Sequence, residues 1–329
     1  MRVRVAALLL LALALPACSG GAPAGRAASA PAVSPTPTGD ELADDATDHS
    51  CRATGGLAPT GPLPAPGAMP AGTFMAAIQR RGYLIAGVSR GTFGFGYLDP
   101  ATGRPAGFDV DMAREVSRAI FGDPDHVEYR FLTTAERIGQ LQSGGVDIVI
   151  STMTITCGRW QKVAFSSAYY SDWQEVLVPR SSRVERFADL RGGRVCATNA
   201  STSIFFLRYH AGVPGMRAVA VPDFNDCLVG LQRGTVDAIA TNEGILRGLR
   251  LEDPYTRLLA DQLVLEPHGF AIALCHKDFA RFANGVLDRM RADGTWASLY
   301  HRWFRDQLGM PDAPPPPLDT EDRSSSSSC

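Results

Sequence analysis

Leu141-Gln142-Ser143-Gly144-Gly145-Val146-Asp147-Ile148-Val149-Ile150-Ser151 returns ninety residues later as Leu231-Gln232-Arg233-Gly234-Thr235-Val236-Asp237-Ala238-Ile239-Ala240-Thr241. Each copy reads as the end of an amphipathic helix, a glycine stop and a short buried strand. An earlier strand precedes each copy, Tyr83 to Val88 and Arg194 to Ala197, and helical stretches lie between, Asp109 to Phe121 and Ser203 to His210. Strands alternating with helices predict an α/β fold with parallel sheets, and two such units predict two lobes. Ligands in this class sit beyond the carboxyl ends of the strands. The segments that follow the repeats, Thr152 to Arg159 and Asn242 to Glu243, are therefore the candidate sites.

Outward from this pair, the chain changes character twice. Arg2 and Arg4 precede Val5 to Leu15, an unbroken apolar run of eleven residues. A membrane-spanning helix needs about 20, so this run reads as the hydrophobic segment of an export signal over residues 1–18. Residues 19–73 are rich in Ala, Pro, Gly, Ser and Thr, with an acidic cluster from Asp40 to Asp48, and read as a flexible tether. Residues 309–329, with Pro314 to Pro317 and Ser324 to Ser328, read as a disordered tail. About 235 residues remain to carry the fold.

Composition narrows the function. The net charge of −2 over 329 residues excludes a dedicated nucleic-acid binder, which needs a basic face. Of 32 basic residues only Lys162 and Lys277 are lysine, so any carboxylate recognition rests on arginine forks and backbone N–H groups. No Cys-x-x-Cys supports a metal site, and no cofactor motif is present. No nucleophile–base pair argues for an enzyme.

Six motifs then occur in order: Arg81-Gly82-Tyr83-Leu84-Ile85-Ala86-Gly87-Val88; Gly107-Phe108-Asp109-Val110-Asp111; the Leu141 to Ile150 unit; Met153-Thr154-Ile155-Thr156 leading to Arg159; Phe165-Ser166-Ser167-Ala168-Tyr169-Tyr170; and Arg291-Ala292-Asp293-Gly294-Thr295-Trp296. In order and spacing this series resembles the type II extracytoplasmic solute-binding proteins (family 3) of polar amino-acid ABC transporters. Thr156-Cys157, Arg194-Val195-Cys196-Ala197, Asp226-Cys227-Leu228 and Asp253-Pro254-Tyr255 look most like the glutamate/aspartate-binding lipoproteins of high-GC Gram-positive bacteria. The resemblance implies two α/β lobes joined by two crossovers, lobe 1 over 74–171 plus 269–308 and lobe 2 over 174–266. Hinges are expected near Ser171 to Gln174 and Glu266 to Gly269. A small ligand, an amino acid or related carboxylate, would bind between the lobes and stabilise the closed form for an ABC permease. Leu15-Pro16-Ala17-Cys18 resembles a lipobox, which implies lipidation at Cys18 and a monomer held to the outer face of the cell membrane by acyl chains.

The same resemblance assigns the site. Arg159 matches the arginine that grips the ligand α-carboxylate. Thr154 and Thr152 add donors beside it. Ser201 and Thr202 open a helix whose N–H groups meet the same carboxylate, or simply cap that helix. Phe95 is expected either against the ligand or as a loop-to-core anchor. Arg137 either reaches into the cleft to pair a side-chain carboxylate or lies on a solvated face. Asn242 stands where relatives place an aspartate for the ligand ammonium, and the lost charge is worth roughly 1.5–3 kcal/mol. Glu243 is the alternative acceptor, and Asn242→Asp is expected to sharpen glutamate binding. Gln174 is a further amide at the first hinge, and His268 is expected to be structural. The resemblance pairs Cys51 with Cys157 and Cys196 with Cys227; Cys275 and Cys329 are left over, with their pairing open. Two other readings stay in view: a ligand-gated sensory lipoprotein that signals to a membrane partner, and a dehydratase of cyclic carboxylates on the same fold.

Overall fold

The computed structural model describes residues 43–51 and 56–319. The export signal and Cys18 lie outside these residues.

Two sheets organise the molecule. The first has five strands in the order Val127–Phe131, Leu84–Val88, Ile148–Val149, Ala271–Ala273, Val163–Phe165. The first three strands are parallel, and Ala271–Ala273 enters antiparallel. The second sheet runs Arg217–Val221, Arg194–Thr198, Ala238–Asn242, Tyr170–Pro179, Thr256–Leu258, again parallel among the first three and antiparallel at Tyr170–Pro179. The fold is mixed α/β with two sheet-bearing lobes, called here lobe 1 and lobe 2 after their sheets.

The repeated unit builds both sheets in the same way. Helix Arg137–Gln142 and helix Phe224–Gln232 each end two residues before a left-handed glycine, Gly144 at φ 71° and Gly234 at φ 67°. Asp147 then accepts from the Ile85 N–H and pairs with Arg81, while Asp237 accepts from the Arg194 N–H and pairs with the Arg194 guanidinium. In each lobe the aspartate satisfies a backbone donor near the start of the neighbouring parallel strand, which locks the register.

Side-chain alternation in lobe 2 separates two apolar layers. Val176, Val178, Val195, Ala197, Ala238 and Ala240 face one, and Leu177, Cys196 and Ile239 face the other. The Cys196–Cys227 disulfide lies in the second layer and ties the sheet to helix Phe224–Gln232. Lobe 1 packs a single large core that includes Phe95, Phe108, Tyr169, Tyr170, Trp296 and Phe304.

The long strand Tyr170–Pro179 passes between the lobes. Its first half pairs with the returning strand Leu265–His268, placing Asp172 opposite Glu266 and Tyr170 opposite His268, and its second half belongs to the lobe 2 sheet.

The described parts of the segments expected as tether and tail, 43–51, 56–73 and 309–319, include residues packed against the rest of the chain. Leu57 is fully buried, the Asn284 amide donates to the Leu57 carbonyl at 2.6 Å and Arg281 donates to the Ala58 carbonyl at 2.7 Å. At the other end Met310 is buried, Arg291 donates to the Pro316 carbonyl at 3.0 Å, and the Gly56 N–H reaches the Asp319 carbonyl at 2.8 Å. Proline-rich chain has little backbone freedom to lose, so a few such contacts suffice to hold it.

Candidate functional site: the cleft between the lobes

The lobes meet directly. Thr134 and Thr198 hydroxyls lie 3.3 Å apart, Thr154 and Thr202 hydroxyls 3.3 Å apart, and Arg159 Nη2 donates to the Ala200 carbonyl at 3.2 Å. Phe95 of lobe 1 lies against Gly244 of lobe 2; a Cβ at 244 would stand 2.8 Å from the Phe95 ring, so only glycine admits this approach. Between the lobes remains a cavity of ≈ 20 Å³, room for about one water. Its walls carry Arg137, Thr152, Thr154 and Arg159 from lobe 1 and Ser201, Thr202 and Asn242 from lobe 2.

On the lobe 1 side the chain leaves its strand and turns at Thr152, whose φ is 43°, an uncommon conformation for a β-branched residue. Its N–H is held by Asp109 Oδ2 at 3.2 Å and by the Tyr169 hydroxyl at 3.3 Å. Burial pushes the Asp109 carboxyl up to about 6, against the Tyr169 hydrogen bond that holds it down. Thr156 caps the short helix Cys157–Trp160 and accepts from the Arg159 N–H at 3.2 Å, which aims the Arg159 side chain back into the cleft. Arg159 Nη1 donates to the Thr154 carbonyl at 2.9 Å.

Arg137 starts the helix of the first repeat and is buried. Its Nε donates to the Thr134 carbonyl at 3.0 Å and its Nη1 to the Ser151 carbonyl at 2.9 Å. It forms no ion pair among the described residues. Burial and the neighbouring Arg159 charge pull it down to about 9, which still leaves it cationic at neutral pH. The solvated-face alternative for Arg137 is thereby set aside.

Arg159 does have a carboxylate. Asp44, from the segment that precedes Cys51, places one oxygen 2.5 Å from both Nε and Nη2. Both partners are almost wholly buried. Burial raises the Asp44 carboxyl, and the Arg159 and Arg137 charges hold that rise in check. The Cys51–Cys157 disulfide fastens this segment two residues from Arg159.

On the lobe 2 side, Ala200 takes a φ of 54° and Ser201 begins the helix Thr202–Tyr209 as its N-cap. The Ser201 hydroxyl accepts from the Ile204 N–H at 3.0 Å and donates to the Thr198 carbonyl at 2.7 Å, so the side chain is committed to capping. Ser201, Thr202 and Ser203 at the start of this helix line the cavity.

Asn242 ends the lobe 2 strand and is buried. Its Nδ2 donates to Asp172 Oδ1 at 2.9 Å and to Glu266 Oε2 at 2.8 Å. Asp172 also accepts from the Gly244 N–H at 3.0 Å and contacts His268 Nε2 at 3.2 Å; Glu266 accepts from Gln174 Nε2 at 2.5 Å. Burial pulls His268 down, but Asp172 and Glu266 raise it on balance. This buried pair of carboxylates was not foreseen from the sequence. Asp172 and Glu266 lie 94 positions apart and face each other only through the antiparallel register of the two crossing strands.

Two of the candidate residues do not line the cavity. Glu243 turns to Arg247 one helical turn away, at 2.6 Å, and does not line the cavity. Phe95 is buried in the lobe 1 core against Tyr170 and Phe304, so it acts as an anchor and lobe contact. The aromatic face that lines the cavity belongs to Phe224 instead. Cys275 is also disulfide-bonded.

Comparison with known proteins accords with this architecture. The family described as bacterial extracellular solute-binding proteins, family 3, matches residues 84–306. A glutamine-binding protein of an ABC transporter from Bacillus subtilis is 30% identical over 233 residues, covering 70% of this chain and 85% of that protein. A glutamate-binding protein from Corynebacterium glutamicum is 29% identical over 238 residues, covering 69% and 79%. Among solved structures, a mutant of the arginine-binding protein of T. maritima superposes with a TM-score of 0.65 at 28% identity, covering 70% of this chain and 99% of that one. The chain belongs to the bacterial extracellular solute-binding proteins, family 3.

Proposed function

We propose that this protein captures an acidic amino acid, L-glutamate before others, and presents it to an ABC importer from a lipid anchor at Cys18. The observation that carries the reading is a pair of buried guanidiniums, Arg159 and Arg137, converging on one cavity, with Arg137 lacking a carboxylate partner among the described residues. A dicarboxylate with one ammonium suits this arrangement. Its α-carboxylate would take Arg159, the Thr154 hydroxyl and the first-turn N–H groups after Ser201. Its side-chain carboxylate would take Arg137. Its ammonium would take Asn242 Oδ1, since Nδ2 is already given to Asp172 and Glu266. The two carboxylates behind Asn242 supply the negative field that an aspartate at 242 would otherwise bring. The relatives named for glutamine and glutamate support the ligand class.

A cavity of ≈ 20 Å³ is far smaller than an amino acid, so binding entails separation of the lobes about the crossing strands. Titration calorimetry with an amino-acid panel tests the reading: glutamate is expected to bind saturably and more tightly than glutamine. A panel without any binder would sink it. The anchor is tested separately, by detergent-phase partition of the expressed protein and its loss in Cys18→Ala.

A further inference from the structure

We infer that residues 43–51 act as a built-in pseudo-ligand: Asp44 occupies the carboxylate seat on Arg159, and a free ligand must displace it. The inference rests on the reading of Arg159 as that seat.

Arg159 presents one edge, Nε with Nη2, suited to a bidentate carboxylate, and Asp44 takes both nitrogens at 2.5 Å. Nη1 also donates to the Thr154 carbonyl and Nη2 to the Ala200 carbonyl, so a second carboxylate has no edge left on this guanidinium. The segment is seated by more than one contact. Thr156 Oγ1 donates to the Ala43 carbonyl at 2.5 Å, and Gly158 offers no Cβ where one would stand 2.4 Å from Ala43 Cα. Asp45 lies 3.3 Å from His210 Nε2 on lobe 2. The segment thus touches both lobes, as a ligand must in order to hold them together. The Cys51–Cys157 disulfide keeps the carboxylate near its seat, at an effective concentration on the order of millimolar for so short a link. Free ligand competes against that concentration, so its apparent affinity falls by the fraction of time the seat is taken.

The test has two arms on the full chain. In the first, without amino acid, modification of Arg159 by phenylglyoxal is followed by peptide mass spectrometry. Asp44→Asn is expected to speed it at least tenfold, and the double variant Cys51→Ser/Cys157→Ser, which frees the segment, is expected to move it the same way. Unchanged rates in both overturn the proposal. In the second arm, calorimetry with L-glutamate is expected to show tenfold or greater tightening in Asp44→Asn. Equal or weaker binding overturns the proposal, the weaker case making Asp44 a ligand contact instead. If neither parent nor variant binds glutamate, the ligand reading falls while the first arm still decides this one.

Discussion

The two copies of the repeat are alike up to their last strand residue and then part. Both run helix, left-handed glycine, aspartate and buried strand, and both aspartates tie down the neighbouring strand. After Ser151 the first copy breaks into an irregular turn at Thr152 that carries Thr154 and Arg159 into the cleft. After Thr241 the second passes through Asn242 straight into helix Glu243–Glu252. Lobe 1 therefore brings cations and lobe 2 brings hydroxyls, helix-start N–H groups and one amide. The same scaffold unit serves both lobes; the few residues beyond it make their chemistry differ.

The sharpest way to break this contrast is Arg159→Ala. It is expected to abolish saturable amino-acid binding and, by leaving Asp44 buried without its partner, to cost about 3–5 kcal/mol of stability. Thermal unfolding and calorimetry read both, and a variant that melts like the parent would mean the pair is not buried in solution.

Asp109, beneath the Thr152 turn, comes next. Its folded value of about 6 stands above the ordinary 3.8, so the folded state holds this proton over a range where the unfolded chain has lost it. Stability from this group is present at pH 4 and declines as pH rises through 6, by about 3 kcal/mol. Urea unfolding at pH 4.5 and 7 should show about 2 kcal/mol of that decline, and Asp109→Asn should flatten it.

Arg137→Gln probes which side chain the cleft accepts. Glutamate binding is expected to weaken by about 1.5–3 kcal/mol while glutamine is barely affected. Equal losses for the two ligands would remove Arg137 from side-chain recognition.

The smallest effect is expected at Asn242, whose amide donates to two buried carboxylates. Asn242→Asp removes the amide donor shared by Asp172 and Glu266 and adds a third carboxylate beside them. It should cost about 1–3 kcal/mol at pH 7 and leave glutamate binding no tighter. Tighter glutamate binding at neutral pH would restore the simpler view of a missing ammonium partner.

Much of the fold was legible because it is written locally. Glycine stops, period-two strands and the repeated aspartate specify the βαβ units within stretches of about forty residues. Arg159, Thr154, Thr152, Ser201 and Thr202 were legible as residues at helix starts and strand ends, where α/β folds collect ligands. Glu243 is engaged by Arg247 one turn on in its own helix, a local pair that sequence spacing could have signalled.

The sequence by itself determined the two-lobed α/β architecture and the repeated unit, because hydrophobic period and turn chemistry act between near neighbours. Tertiary structure alone decided three things. It set Asp172 and Glu266 on either side of Asn242, it buried Arg137 without a counter-ion among the described residues, and it laid Asp44 across Arg159. Each joins or isolates charges far apart in the chain, and the energy of a charge depends on the burial and company that only folding provides.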